Sequence, residues 1–525
     1  REAAPPVMLP PAAPEALAAV CSGLLAREPS ERWGGPEILR HLDGTRGSST
    51  PTAAPRERIF VGRGAELAHL DGLWQRSRGG DCRGALLTGV SGVGKSALMR
   101  QLVDAILRDE PDALVLRGRC YEREAVPYKG VDAAVDELGR AFERGRVHLE
   151  RLPPDFTLLA DVFPVLRGAM DGASSAAGHE SRSSAAPASM LPASVLRQRV
   201  FEAFRALLTL LAARRPVVLA IDDLQWADGD SHALLHRLFE GSGVAGLFFV
   251  ATARSSPEAS RGYGLPGLEV VPVEELPERD ATTLAYALLG SRSTQSSVRA
   301  LLRESSGHPL FLDELARRLA HGGGGEGVRL EEALWSRVEE LDDVTRRLLV
   351  VVCVAGTPLP TELATRAAGL RPDEAEPATT RLLAERLVRS EAAASIARVE
   401  AYHDRVRESV VAHLDEASLR MIHRHLAEAL EAEGDADPER LMVHWEGAGE
   451  LPRAAELAAV AAERAERALA FQRAAQLYEK SLALGAGAPD RRAALHVALG
   501  NTRAAEGQGL RAAEAYLAGV VNPDD

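Results

Sequence analysis

The sequence predicts an α/β domain over residues 58–273, a parallel sheet with helices on both faces, followed by a helical domain, a small mixed domain and an all-α repeat region. Three observations carry this prediction. Short apolar runs alternate with helical periods from residue 58 onward, and strands alternating with helices make a parallel sheet covered on both sides. A glycine-rich octapeptide, GVSGVGKS at 89–96, stands between the first of these runs and the helical run SALMRQLVDAIL. Ala, Leu, Arg and Glu dominate the composition and aromatics make up 4%, a mixture that favours helix over sheet across much of the chain.

Along the chain, residues 12–43 read as two short helices, and GTRGSSTPTAAPR at 44–56 reads as a flexible linker. The strand candidates are ALLT (85–88), ALVLRG (113–118), VVLAI (217–221), LFFVATA (247–253) and LEVVPV (268–273). A stretch rich in Ser, Ala and Gly, 171–193, reads as a mobile surface insertion. Residues 274–330 form the helical domain, which contains the break HGGGGEG at 321–327. Residues 331–412 show three helical periods and then the short runs LVRS and IARVEAY, an order that suits a winged helix. From 413 to 525 the pattern is helical. RAAQLYEKSLAL at 473 and RAAEAYLAGVVN at 511 lie 38 residues apart and resemble tetratricopeptide helix pairs; the alternative is two unrelated Ala-rich amphipathic helices.

Length and charge narrow the function. A chain of 525 residues allows three or four domains. The net charge of −13 argues against an electrostatic nucleic-acid binder, because phosphate backbones demand a basic face. The four cysteines lie far apart with no C-x-x-C pair, which excludes the common zinc patterns and suits a reducing cytosol, so a cytoplasmic protein is expected. No apolar run approaches 18 residues, so no membrane span is expected. No signal peptide is evident, and a chain opening on Arg1 reads as one that lost or never included its natural start.

GVSGVGKS fits G-x-x-x-x-G-K-S/T in the strand–loop–helix context that this phosphate-binding loop, or P-loop, requires. Gly89, Val90, Ser91, Gly92, Val93 and Gly94 are expected to curl so that successive N–H groups face phosphate oxygens. Lys95 is expected to reach the β- and γ-phosphates of ATP, and Ser96 to ligate Mg²⁺. The bland alternative is an accidental glycine-rich turn, which arises in roughly a few per cent of chains this long. Lysine usage counts against it. Only Lys95, Lys129 and Lys480 occur among 62 basic residues, so a strongly Arg-biased chain keeps Lys where a compact charge is needed.

PVVLAIDDLQWAD (216–228) carries Asp222 and Asp223 to the carboxyl end of a buried strand, the edge where open α/β sheets bind ligands. Asp222 is assigned to Mg²⁺ through water, and Asp223 to orienting or deprotonating the attacking water. LFFVATAR (247–254) ends in Arg254, placed to reach a γ-phosphate from the neighbouring strand; otherwise it is a surface arginine. In SSGHPLFLDELARRL (305–319), Pro309 opens a helix at a position that tolerates its missing N–H and is placed to pack on adenine.

These four signals, in this order, resemble the STAND class of AAA-like signalling ATPases over about residues 58–485. The resemblance implies an α/β P-loop NTPase domain followed by a helical domain, a winged helix and an all-α repeat region. IFVGRGAEL (59–67) resembles the family's opening motif near adenine, which assigns Val61, Gly62 and Arg63 to nucleotide binding; Gly64 stands where an acidic residue is often found. AYHDRVRESV (401–410) resembles the family's His–Asp motif, which assigns His403 to the β-phosphate of ADP in a closed state. The alternative for His403 is a strand–helix junction capped by Asp404. LLAREPSERWGGPEILRHL (24–42) looks like the last helices of a protein kinase C-lobe, with Arg32 as its structural arginine, so residues 1–43 are read as a kinase remnant and 44–57 as its linker. RGRCYEREAVPYKGVD (117–132) resembles a region of bacterial Ser/Thr kinases that carry a STAND module. No glycine-rich kinase loop, H-R-D or D-F-G is present.

The function implied is a nucleotide-dependent switch with slow Mg²⁺-dependent ATP hydrolysis, held closed by ADP and opened by ATP. A protein partner or signal ligand is expected at the C-terminal repeats, and a nucleotide-dependent homo-oligomer fits the class. Two other readings compete. One is a DNA-associated AAA ATPase of the origin-recognition type, against which residues 331–410 carry 15 acidic and 11 basic side chains, a net of −4. The other is a scaffold that binds nucleotide without hydrolysing it.

Overall fold

The computed structural model describes residues 59–520 apart from 80–82, 124–125, 171–190, 242, 321–329, 392–396, 435 and 486. The kinase-like segment 1–43, the linker 44–57, the core of the 171–193 insertion and the HGGGGEG break lie outside the described residues.

The α/β domain runs α1 (Gly64–Arg78), β1 (Arg83–Gly89), α2 (Lys95–Asp109), β2 (Leu114–Arg119), α3 (Asp132–Glu143), α4 (Phe156–Val162), α5 (Ala193–Ala212), β3 (Val217–Asp222), α6 (Gly229–Phe239), β4 (Leu247–Arg254) and β5 (Leu268–Pro272). The five strands form one sheet in the order β2-β3-β4-β1-β5, every neighbouring pair parallel. Each of the five apolar runs read from the sequence is a strand. Alternate residues serve opposite faces. Ala85, Leu87, Val218, Phe248 and Val250 pack on Leu70, Trp74, Leu98 and Leu102 from α1 and α2, while Leu86, Leu219, Ile221, Phe249 and Ala251 pack on Leu138, Phe204, Leu207 and Leu234 from the opposite layer. Burial on both faces explains why these strands are continuous apolar runs rather than alternating ones. The register decides the site. Gly89 is level with Arg254, and Arg119 with Asp222, so four strand ends line one edge of the sheet.

The helical domain consists of α7 (Glu278–Leu289), α8 (Gln295–Ser305) and α9 (Pro309–Ala320) around a separate core of Leu276, Ala285, Val298, Leu301 and Leu312. Gly307 leads into α9 at φ +80°, and a Cβ there would lie 2.4 Å from the Leu276 carbonyl oxygen, so only glycine fits the turn.

Residues 330–412 form α10 (Leu330–Glu339), α11 (Asp343–Ala355), β6 (Leu359–Pro360), α12 (Thr361–Ala367), α13 (Pro372–Ala384), β7 (Val388–Glu391), β8 (Arg398–Ala401) and α14 (Asp404–Ala412). The strands make an antiparallel sheet in the order β6-β8-β7. LVRS and IARVEAY fall on β7 and β8. Four helices, not the three periods expected, precede β7, because α12 and the two-residue β6 are too short to show a period.

The remainder is α15 (Glu416–Glu431), α16 (Pro438–Gly447), α17 (Leu451–Arg467), α18 (Phe471–Ala483), α19 (Pro489–Ala505) and α20 (Gly509–Gly519). The pairs α17/α18 and α19/α20 start at 451 and 489, which reproduces the 38-residue spacing of the sequence repeat. Ala454, Ala455, Ala458, Ala459, Ala461, Ala462 and Ala465 of α17 are all buried. A seam of such small side chains lets neighbouring helices approach closely. The start of α18 rests on the α/β domain: Asp230, 1% exposed, accepts the N–H groups of Gln472 at 3.3 Å and Arg473 at 3.0 Å. Tyr128 donates to the Leu469 carbonyl at 3.0 Å, and the Arg197 guanidinium lies 5.1 Å from the Phe471 ring centre.

Candidate functional site

The loop between β1 and α2 takes the conformation its glycines permit. Gly92 and Gly94 adopt φ +87° and +104°, which L side chains rarely tolerate. A Cβ on Gly89 would come within 2.3 Å of the Val273 carbonyl oxygen. No side chain caps the first turn of α2, so its N–H groups and the positive end of the helix remain available to an anion. Lys95 is the first residue of α2 and is 7% exposed. Its Nζ donates to the carbonyls of Gly89 at 3.0 Å and Val90 at 2.9 Å, spanning the mouth of its own loop. Burial lowers its pKa, against the opposing charges of Asp223 and Asp222.

At the adjacent strand end, Ser96 Oγ donates to Asp222 Oδ1 at 2.7 Å. The same carboxylate oxygen accepts from Thr252 Oγ1 at 2.5 Å, and Thr252 Oγ1 in turn accepts the Asp223 N–H at 2.9 Å. Asp223 sits at φ +60° with Arg119 Nε 3.1 Å from Oδ2 and Gln225 Nε2 3.1 Å from Oδ1. Burial and then the neighbouring Asp222 push its pKa up to about 6. A hydroxyl and a carboxylate already in contact beside a lysine are a donor set that fits hydrated Mg²⁺. Among the described residues no group of three His, Cys, Asp or Glu forms a protein-only metal site, so Ser96 and Asp222 would hold such an ion together with water and phosphate oxygens. Mg²⁺ bound there would neutralise phosphate charge.

Arg254 does not reach freely over the strand ends. Its Nη2 contacts Asp404 Oδ2 at 3.0 Å and Glu408 Oε1 at 3.1 Å on α14, and its guanidinium lies 5.7 Å from the Trp226 ring centre. Arg119 bridges the same divide, with Asp223 on one side and Glu400 at 3.5 Å and Asp404 at 3.9 Å on the other. Burial opposes the charge on Arg119, but Asp222, Glu400 and Asp223 outweigh it and raise its pKa. His403 precedes α14 and caps it. Its Nδ1 accepts the Arg405 N–H at 3.1 Å, so the cap is His403 itself and not Asp404, which is the first helical residue. An accepting Nδ1 places the proton of the neutral ring on Nε2. Burial, with further help from nearby Arg119, Lys95 and Arg254, lowers the His403 pKa to about 4, although Asp404 opposes.

Val61, Gly62 and Arg63 join the loop to the helical domain. Val61 packs on the helical-domain core, Gly62 at φ +74° lies against Asp280, and Arg63 donates to the Val93 carbonyl at 3.3 Å and to the Glu274 carbonyl. Pro309 is the first residue of α9. Beside the loop is a cavity of about 550 Å³ lined by Val90, Ser91, Glu275, Ser306, His308 and Arg405, among others, within the usual range for small-molecule sites.

The fold thus gathers Gly89–Ser96, Asp222 and Asp223 at one sheet edge. It sets Arg254 and His403 around Asp404, and puts Val61–Arg63 and Pro309 on the helical-domain side. Sequence reasoning missed Thr252, Arg119, Gln225, His308 and Arg405. Thr252 was within reach, because it is two residues before Arg254 on a strand and so shares its face. Arg119 is level with Asp222 only through strand pairing that no local pattern reveals.

A five-stranded parallel sheet with a glycine-rich loop after β1, a Lys-Ser helix start and a Ser-to-Asp contact across to β3 has the fold of a P-loop NTPase domain. Residues 59–250 match the AAA ATPase domain family. The chain is similar to the STAND protein with a tetratricopeptide repeat sensor from Pyrococcus horikoshii, at 16% identity and a TM-score of 0.50, over 89% of this chain and 64% of that one. It therefore spans just under two thirds of that neighbour's length. Weaker matches are the Drosophila ORC bound to DNA (13% identity, TM-score 0.29, 78% of this chain and 95% of that one) and a Thermotoga maritima RuvB mutant (12%, 0.27, 63% and 91%). No curated protein matches the chain. Among the described residues no helix is long and apolar enough to cross a membrane.

Proposed function

We propose that the chain is a nucleotide-operated signalling switch whose closed form holds ADP and whose open form holds ATP with Mg²⁺. The observation that carries this reading is the double grip of Asp404 and Glu408 on Arg254. Arg254 ends the strand beside the loop and is level with Gly89, where a terminal phosphate is read. A γ-phosphate and the two carboxylates of α14 compete for one guanidinium. ADP lacks that phosphate and leaves the carboxylates in possession, while His403 Nε2–H is a donor suited to the β-phosphate. A ligand shifts an equilibrium only by its differential affinity for the two states, and this competition supplies the difference.

Asp223, which sits at the strand end beside Asp222 and is held by Arg119 and Gln225, is the group for orienting or deprotonating water in slow hydrolysis. Residues 331–412 serve as a winged helix that closes over the nucleotide, and the C-terminal helix pairs capture a protein or ligand signal. The kinase-like segment at the start makes regulation of a Ser/Thr kinase the output, and homo-oligomers form in the open state. Nucleotide binding by Lys95→Ala tests the site. ATP and ADP affinities are expected to fall by at least tenfold, and unchanged affinity would overturn the assignment.

A further inference from the structure

His308 touches both the phosphate-binding loop and the helix that begins beside it. Its Nε2 is 3.0 Å from the Ser91 carbonyl oxygen, and its Nδ1 accepts the Phe311 N–H at 3.3 Å, within the first turn of α9. The second contact fixes the first: a ring nitrogen that accepts carries no proton, so Nε2 bears it and donates to Ser91. The imidazole also covers the bare α-carbon of Gly92, where a Cβ would come 2.8 Å from Cε1. The backbone leading to His308 is set by Gly307 at φ +80°, whose carbonyl accepts the Leu276 N–H at 2.9 Å. One side chain therefore links the helical domain to the two loop residues, Ser91 and Gly92, whose orientation decides where their N–H groups point.

We infer that His308 is a positioning residue that staples α9 to the phosphate-binding loop, keeps the Ser91 carbonyl turned outward, and makes nucleotide affinity depend on its own neutral state. This rests on the nucleotide-site reading above and extends it to the helical domain. The charged groups facing the ring are Glu275 and Arg405, both of which line the same cavity. Protonation adds a hydrogen to Nδ1, which then opposes the Phe311 N–H at the positive end of α9, so the ring loses the contact that orients it although Nε2–H can still donate to Ser91. Burial lowers the His308 pKa, with Arg405 acting in the same direction against the Ser91 hydrogen bond and Glu275. The sign follows. A histidine held below its ordinary value supports the stapled form fully above that value, and the support fades as pH falls through about 6.5 toward the lowered pKa.

The test measures ADP affinity of the full chain by titration calorimetry from pH 5.5 to 8, alongside its melting temperature. His308→Asn keeps an acceptor for the Phe311 N–H but is too short to reach Ser91. It is expected to melt near the wild type, to bind ADP roughly two- to tenfold more weakly at pH 7.5, and to show a flatter loss of affinity toward pH 5.5. Wild-type affinity with an unchanged pH profile in His308→Asn overturns the staple. Lys95→Ala, run in parallel, separates the two claims. If it abolishes binding while His308→Asn changes nothing, only the staple fails; if neither affects binding, the nucleotide site itself is misplaced. A lower melting temperature with unaltered affinity and pH profile assigns His308 to stability alone and also overturns the proposal.

Discussion

Glu408→Gln tests the competition for Arg254 most directly. The substitution keeps the shape of α14 and a hydrogen-bond acceptor, but removes one of the two charges gripping the guanidinium. At 3.1 Å and an effective dielectric of about 20, the bare attraction of such a pair is about 5 kcal/mol. That figure is an upper bound. Arg254 is 31% exposed and Glu408 33% exposed, so water screens the pair, and Asp404 remains to hold the arginine. A net contribution of about 1 kcal/mol to the closed form is the realistic scale, which corresponds to roughly a fivefold change in the closed-to-open ratio. The assay is competition binding of ADP against a non-hydrolysable ATP analogue at low and high salt. The preference for ADP over the ATP analogue is expected to fall by roughly fivefold at low salt and by less at high salt. Hydrogen exchange along 398–412 is expected to quicken in the ADP form. An unchanged preference, with the variant folded and both nucleotides bound, would refute the competition and leave Arg254 a structural contact.

Two further substitutions follow from the same geometry. Gly92→Ala forces a side chain to φ +87° and into His308 and Leu310; it is expected to cost about 1–2 kcal/mol from the backbone alone, read as a lower melting temperature, and to weaken nucleotide binding. Asp230→Ala leaves the N–H groups of Gln472 and Arg473 and the buried side of Arg197 without their acceptor; a loss of about 2–3 kcal/mol is expected, with hydrogen exchange rising first at the start of α18. Full protection of α18 in that variant would show that the repeats do not depend on this contact.

The sequence by itself determined the strands of the parallel sheet and the turn of the glycine-rich loop. The central runs were legible because β3 and β4 are buried on both faces, which makes continuous apolar runs visible without any knowledge of pairing, whereas the edge strand β5 is only partly buried. The octapeptide 89–96 was legible because its glycines are demanded locally, by a turn that holds Gly92 and Gly94 at positive φ. The 38-residue spacing was legible because each helix pair repeats the same packing against its neighbour. Tertiary structure decided which charges meet. The order β2-β3-β4-β1-β5 places Arg119 level with Asp222, although about a hundred residues separate them in the chain. The packing of the 398–412 segment brings Asp404 and Glu408 onto Arg254, a partnership that nothing around the strand LFFVATAR announces. The placement of α9 converts His308 from one residue of a helix start into a contact of the loop. Hydrophobic periodicity reports how a segment is buried, and short motifs report what their own backbone requires. Long-range ion pairs depend on register and domain placement, which are properties of the assembled chain, and no local pattern encodes them.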